Sequence, residues 1–337
     1  PGGRYARWGP LETRLVHLDE ADTAPYGFPG ALVACPVFPA PNAGSQSGAG
    51  PEPVGLQGIL DRALNWLSSE LGSLGDGGGA SESSSDPLLR PRVAPAKIPG
   101  IAWSYGGQGS CDGSRGFADA ADGFSREMAG DDKGYWLPEL LEHAASWGIA
   151  AACPTLPGGV PIGDGRSTVG AALMLADLQP CSSLGDGGLR PPLIVDRSKL
   201  GVAGYSLGGG RAVRGAATGV GRASISAVVA LHPWNPGNGR TAAPTLVLTS
   251  TEDTNAPFRD ARRAFRNADG SRLLAALDGG DHYTSPRFWA GATVAFFLAH
   301  LQGDRSARRE VWGARGIAAS PRMTRVERRC VESDGCE

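Results

Sequence analysis

The segment Lys199-Leu-Gly-Val-Ala-Gly-Tyr-Ser-Leu-Gly-Gly-Gly210 constrains this chain more than any other stretch. An apolar run ends in Gly204-Tyr205-Ser206-Leu207-Gly208 and a helical pattern begins at once, so the backbone must pass from strand to helix through one sharp turn. Such a turn leaves no room for a Cβ at either flanking glycine, and it holds the central serine in a strained conformation above the sheet edge. It also brings the N–H of Leu207 and the positive end of the new helix beside any oxyanion that forms at the serine. A Gly-rich helix cap around an ordinary serine is the plainer explanation of the same letters. The strand before, the helix after and the mid-sheet position favour a nucleophile at Ser206.

The pattern around this turn sets the fold. From residue 97 onward, apolar runs bounded by glycine alternate with helical periodicities, the mark of a parallel sheet covered on both faces. Strands are expected near residues 98–104, 148–153, 199–204, 227–232, 245–250 and 272–277, with helices near 135–147, 168–178, 207–217, 259–267 and 287–302. This order predicts an α/β protein with one mostly parallel, doubly wound sheet. An extended segment at 30–37 precedes it. The stretch 41–96, rich in Gly, Ser and Pro, carries Leu56, Leu60, Ala63, Leu64, Leu67, Leu71 and Leu74 at helical spacing. It reads as an insertion with an amphipathic helix, either a lid or a helix packed on the sheet. Residues 1–302 are therefore expected to form a single domain and 303–337 a C-terminal tail, with rim loops at 107–133 and 180–192.

A nucleophile on such a turn needs an acid and a histidine, in that order, each following a later strand. The strand at 245–250 runs into Thr251-Glu252-Asp253-Thr254, and a carboxylate there can accept Nδ1–H from a histidine. Asp253 is preferred and Glu252 is the neighbouring alternative; both could also merely cap the next helix. The strand at 272–277 runs into Asp278-Gly-Gly-Asp-His282, which sets His282 in a short loop before the last helix. His143 and His300 fall inside helices, His17 precedes the sheet and His232 precedes the acid, so elimination also leaves His282 as the general base. A second oxyanion donor is expected from the loop after residues 98–104. Gly107 N–H is preferred there, with Gly106 and Gln108 as alternatives and a plain glycine turn as the bland reading.

These pieces together resemble the bacterial cutinase and polyester-hydrolase group of the α/β-hydrolase superfamily, close to dienelactone-hydrolase-like and chlorophyllase-like esterases, over about residues 97–302. The group's GHSMGGG is matched by Gly204-Tyr-Ser-Leu-Gly-Gly-Gly210, and its proline-tryptophan after the following strand by Leu231-His-Pro-Trp-Asn235. Its DGDTVAP is matched by Thr251-Glu-Asp-Thr-Asn-Ala-Pro257, which selects Asp253 over Glu252, and its ASHFxPN by Gly280-Asp-His-Tyr-Thr-Ser-Pro286. The resemblance implies a serine carboxylic-ester hydrolase in which Trp234 forms a flat wall for the acyl group. It also places Tyr105 among the substrate-binding residues, although Tyr105-Gly-Gly107 stands where the group has Pro-Gly-Tyr. The elbow histidine of the group is Tyr205 here. Narrower readings are a lipid or chlorophyll-type esterase or an acyltransferase; a reading of another class is a binding protein on a retired scaffold, against which the intact set of three residues argues.

The remaining features mostly exclude. Thirty-two basic and 34 acidic side chains nearly cancel, so nucleic acid is not expected as a partner. No phosphate loop, dinucleotide fingerprint or metal-ligand cluster is present, so no cofactor and no metal are expected. The longest apolar run, 288–301, is shorter than the roughly 20 residues a spanning helix needs, so no transmembrane segment is expected. The expected partner is a small-molecule or polymeric ester, and the chain is expected to be a monomer. No basic-then-apolar leader opens the sequence, and localisation is open. A disulfide between Cys330 and Cys336 would favour a secreted or organellar setting, while unpaired thiols would suit a reducing one.

Overall fold

The structure, a computed structural model, describes residues 5, 7–26, 28–38, 96–106, 136–155, 163, 165–182, 192–284 and 286–331. The expected insertion at 41–96 lies outside these residues apart from Ala96, and so do the expected rim loop at 107–133 and most of that at 180–192.

The described strands are β1 (Glu12–Leu18), β2 (Ala31–Val37), β3 (Ala96–Ser104), β4 (Ala150–Pro154), β5 (Leu193–Tyr205), β6 (Ile225–Leu231), β7 (Thr245–Ser250), β8 (Arg272–Leu277) and β9 (Met323–Arg329). They form one sheet in the order β1-β2-β4-β3-β5-β6-β7-β8-β9. The block from β4 through β8 is parallel. β1 and β2 on one side and β9 on the other run antiparallel. The helices are α1 (Glu20–Thr23), α2 (Trp136–Ser146), α3 (Arg166–Leu178), α4 (Leu207–Ala217), α5 (Gly219–Ser224), α6 (Phe258–Asn267), α7 (Pro286–Leu301) and α8 (Arg305–Trp312).

The strands alternate with period two, and each parity serves a different layer. Ile101, Trp103, Ala203, Tyr205, Val229, Leu231, Leu246 and Leu248 pack on the face covered by α2, α7 and α8, among Leu141, Trp289, Phe296 and Phe297. Ala102, Val202, Val228, Ala230, Val247 and Leu274 point the other way, against α3, α4 and α6 through Val169, Leu175, Val213 and Phe265. Both faces of the parallel strands are buried, which is why those strands read as nearly continuous apolar runs. This is the doubly wound α/β-hydrolase fold expected from the sequence.

Two edges depart from expectation. Residues 305–312 and 323–329, expected as tail, form α8 and β9, and β9 pairs with β8. Nor was β1 expected. Both edge strands are half solvated and charged, Glu-Thr-Arg-Leu-Val-His-Leu and Met-Thr-Arg-Val-Glu-Arg-Arg, so neither carries the apolar signature of a central strand. The cysteines add a long-range bond that the sequence did not suggest. Cys35 on β2 bonds Cys181, which follows α3, across 146 residues of chain. Cys153 and Cys330 are disulfide-bonded too, and Cys336 lies outside the described residues. Only folding brings Cα atoms so far apart in sequence to 5.4 Å.

Candidate active site

The turn between β5 and α4 is as tight as its glycines imply. A Cβ on Gly204 would lie 2.3 Å from the Gly208 carbonyl, and one on Gly208 would lie 2.0 Å from the Ser104 carbonyl oxygen. Ser206 between them has φ 57° and ψ −123°, a left-handed conformation that a side chain adopts only where packing enforces it. Its backbone is enforced from both sides: Ser206 N–H donates to Leu231 O at 2.9 Å, and Ser206 O accepts from Trp234 N–H at 2.9 Å. The hydroxyl is thereby presented at the carboxyl end of the sheet and remains partly exposed.

Asp253 and His282 come from the loops after β7 and β8. His282 Nε2 lies 2.9 Å from Ser206 Oγ, and His282 Nδ1 lies 2.8 Å from Asp253 Oδ2. A carboxylate only accepts, so Nδ1 carries the proton and Nε2 is left with a lone pair facing the serine hydroxyl. The two loops are laced together: Glu252 N–H donates to Gly280 O, Gly279 N–H to Thr251 Oγ1, and Asn255 Nδ2 to the Tyr283 hydroxyl. The Tyr205 hydroxyl donates to the His282 carbonyl, so the residue that replaces the group's elbow histidine anchors the histidine loop. Burial pushes the Tyr205 phenol well up, keeping it a neutral donor.

Asp253 is buried and receives four hydrogen bonds. Oδ1 accepts the N–H groups of Asn255 and Ala256 at 3.0 and 2.7 Å, and Oδ2 accepts His282 Nδ1 and, at 2.7 Å, His232 Nδ1. Burial alone would raise this carboxyl; the hydrogen bonds from His232, His282 and Ala256 overcome it and hold the group well below the usual carboxylate range. Glu252, the alternative acid, is exposed. Sequence reasoning set His232 aside because it precedes the acid. Strand register brings it in: β6 ends at Leu231 beside β7, so the next residue faces the loop that β7 feeds.

The other expected residues are distributed around this line. Leu207 opens α4, where helix geometry leaves the first N–H groups without an intrahelical acceptor. Gly107 lies outside the described residues, but the chain just before it packs on Ser206, a Cβ at Gly106 falling 2.7 Å from Ser206 Cβ. Tyr105 is partly buried against the core of the α2–α7 face. Trp234 is 37% exposed, and its backbone is tied to Ser206. His232, Asp253 and His282 offer three metal-type ligand atoms within 4.8 Å of one another. Both imidazole Nδ1 atoms, however, face the same carboxylate oxygen at hydrogen-bond distance, an arrangement that neutral Nδ1–H donors complete by themselves.

Residues 189–301, which carry the elbow, acid and histidine turns, match the model of the PET hydrolase-like family. The chain is 34% identical over 94 residues to Cutinase 1 of Thermobifida cellulosilytica, covering 26% of this chain and 35% of that one. It is likewise 34% identical over 94 residues to a cutinase of Thermobifida fusca (strain YX), 26% and 30% of the two chains. Lipase 1 of Moraxella sp. (strain TA144) is 29% identical over 138 residues, 39% and 42% of the two chains. The chain thus spans less than half the length of these curated relatives. Sheet, elbow and sequence matches agree: over these residues the chain is similar to cutinases and PET hydrolase-like proteins, and its sheet has the α/β-hydrolase arrangement.

Proposed function

We propose that the chain is a serine carboxylic-ester hydrolase that works through an acyl-enzyme on Ser206. The observation that carries this reading is the unbroken hydrogen-bonded line from Ser206 Oγ through His282 to Asp253 at the mouth of a strained elbow. His282 Nε2 takes the Ser206 proton as Oγ attacks the ester carbonyl carbon, and Asp253 stabilises the imidazolium that results. The oxyanion of the tetrahedral intermediate is held by Leu207 N–H and, in this reading, by Gly107 N–H. Collapse breaks the ester C–O bond, and His282 returns its proton to the departing alcohol. Water then repeats the sequence on the acyl-enzyme and frees the acid.

Trp234 supports a substrate with an extended or flat acyl part. Its partly exposed ring stands two residues beyond the His232 that contacts Asp253, where it can lie along an apolar ester chain. Esters of the cutin or polyester type, the substrates implied by the names of the relatives, fit such a wall. The test is a panel of p-nitrophenyl esters of rising chain length together with a fluorophosphonate probe. Hydrolysis and a probe adduct located on Ser206 are expected; labelling elsewhere, or no turnover of any ester, would refute the reading.

A further inference from the structure

His232 has no part in the scheme above, yet it occupies an expensive position. It is fully buried, its backbone sits at φ 44°, and its N–H is fixed to Leu248 O at 2.7 Å. Nδ1 meets Asp253 Oδ2 at 2.7 Å, as close as the approach of His282 to the same oxygen. Nε2 is buried with no hydrogen-bond partner among the described residues. An orphaned buried nitrogen and a left-handed backbone both cost stability, and an apolar side chain would incur only the second cost. Local rules broken twice at one residue, beside the reacting groups, call for a gain elsewhere.

The surroundings define what that gain can be. The His232 ring packs against Tyr205 from β5, Trp289 from α7 and, edge to face at 5.6 Å, His282. The titratable groups that bear on it are Asp253, His282, Tyr205 and, from the histidine loop, Asp281. Burial keeps the imidazole neutral against the opposing pull of Asp253, so it presents one Nδ1–H donor and a bare Nε2. A neutral donor on Oδ2 fixes the carboxylate without adding a positive charge that would compete with the imidazolium of the reaction.

We infer that His232 is a positioning residue: its Nδ1–H clamps Asp253 in the orientation that His282 needs and shares the charge on Oδ2, limiting how strongly that oxygen binds the His282 imidazolium. The inference rests on the assignment of Ser206, His282 and Asp253 as the reacting set. Loss of the donor therefore has two effects. Asp253 is less well held, which lowers the rate, and Oδ2 becomes a stronger acceptor for His282, which moves the acid limb of the pH profile upward.

The test uses the full chain, p-nitrophenyl butyrate and the variants His232→Leu and His232→Asn, the asparagine Nδ2–H standing where the histidine Nδ1–H stood. His232→Leu should lower plateau kcat/KM about ten- to a hundredfold through kcat, the range for a hydrogen bond to a charged group. Its acid limb should move to higher pH by about half a unit to one unit. His232→Asn should recover both to within about threefold of wild type, because it restores the donor. An acid limb that does not move in a folded His232→Leu chain, or an asparagine variant no better than leucine, overturns the inference. Should the leucine variant not fold, nitrogen-15 histidine spectra of the wild-type chain decide. A neutral Nδ1–H tautomer at His232 that does not titrate over about pH 5 to 9 is required, and an Nε2–H tautomer or a titrating ring refutes the clamp. Failure of the underlying assignment looks different, since hydrolysis would then survive in Ser206→Ala.

Discussion

At the carboxyl ends of β5, β6, β7 and β8 the chain buries Asp253, His232 and His282 and leaves Ser206 in a strained turn. At the opposite edge, beside β2, it buries His143 against the Tyr5 carbonyl at 2.7 Å and ties Cys35 to Cys181. Both regions enclose an imidazole that burial keeps neutral. They differ in what the polar groups face. At the β2 edge the His143 ring bonds a backbone carbonyl, and the arrangement serves the fold. At the strand ends the polar groups converge on one carboxylate and terminate in a hydroxyl open to solvent, at a cost in backbone strain. If the strand-end groups form the reacting set proposed above, removing them should alter turnover and leave the fold standing, and removing the edge groups should do the reverse.

The largest effects are expected at Ser206 and His282. Ser206→Ala and His282→Ala should each lower kcat for p-nitrophenyl butyrate by on the order of 10⁵- to 10⁶-fold, and the double variant should be no worse than either, since the two act as one unit. Thermal melts of both should stay close to wild type; a cooperative loss of folding would place the elbow with the structural edge instead. Asp253→Asn comes next, with a fall in kcat of about 10³- to 10⁴-fold from the wrong histidine tautomer. Glu252→Gln, on an exposed side chain, should be nearly silent, and a larger effect there would shift the acid by one position.

The edge region is tested by the pair Cys35→Ser and Cys181→Ser, which should lower stability by about 2–4 kcal/mol in denaturant titrations and leave kcat unchanged. A proportionate loss of kcat would mean that the edge reaches the site. Trp234→Ala should lower kcat/KM for aromatic or long-chain esters about tenfold while acetate esters are spared, because a partly exposed ring contributes more to substrate contact than to the core. Equal loss on all esters with a large drop in Tm would return that ring to the core.

The smallest effect tests what the two regions share. His143 and His232 both have folded pKa values pushed below the ordinary histidine value by burial, so the unfolded chain binds more protons as pH falls. Stability should therefore be constant above about pH 6.5 and decline below it, by at most about 1.4 kcal/mol per histidine per pH unit. Asp253, held below the usual carboxylate range, should add a further decline below about pH 4. A Tm that is flat from pH 7 to about 5 would show that neither ring is held neutral.

The sheet and the turn at its centre are legible in the letters alone. Apolar runs such as 245–250 are legible because both faces of a parallel strand are buried, and the glycines at 204 and 208 are legible because a steric limit leaves no other residue. The order of Ser206, Asp253 and His282 along the chain follows from the same topology. Tertiary structure alone decided the rest. β1 and β9 are half-solvated edges whose letters resemble loop or tail, and Cys35 meets Cys181 only because α3 returns the chain to β2. His232 looks like an ordinary residue after a strand, and only the register of β6 against β7 places its ring on Asp253. Local sterics and burial periodicity are written into neighbouring letters. Which distant side chains converge depends on register and packing, which are properties of the assembled sheet.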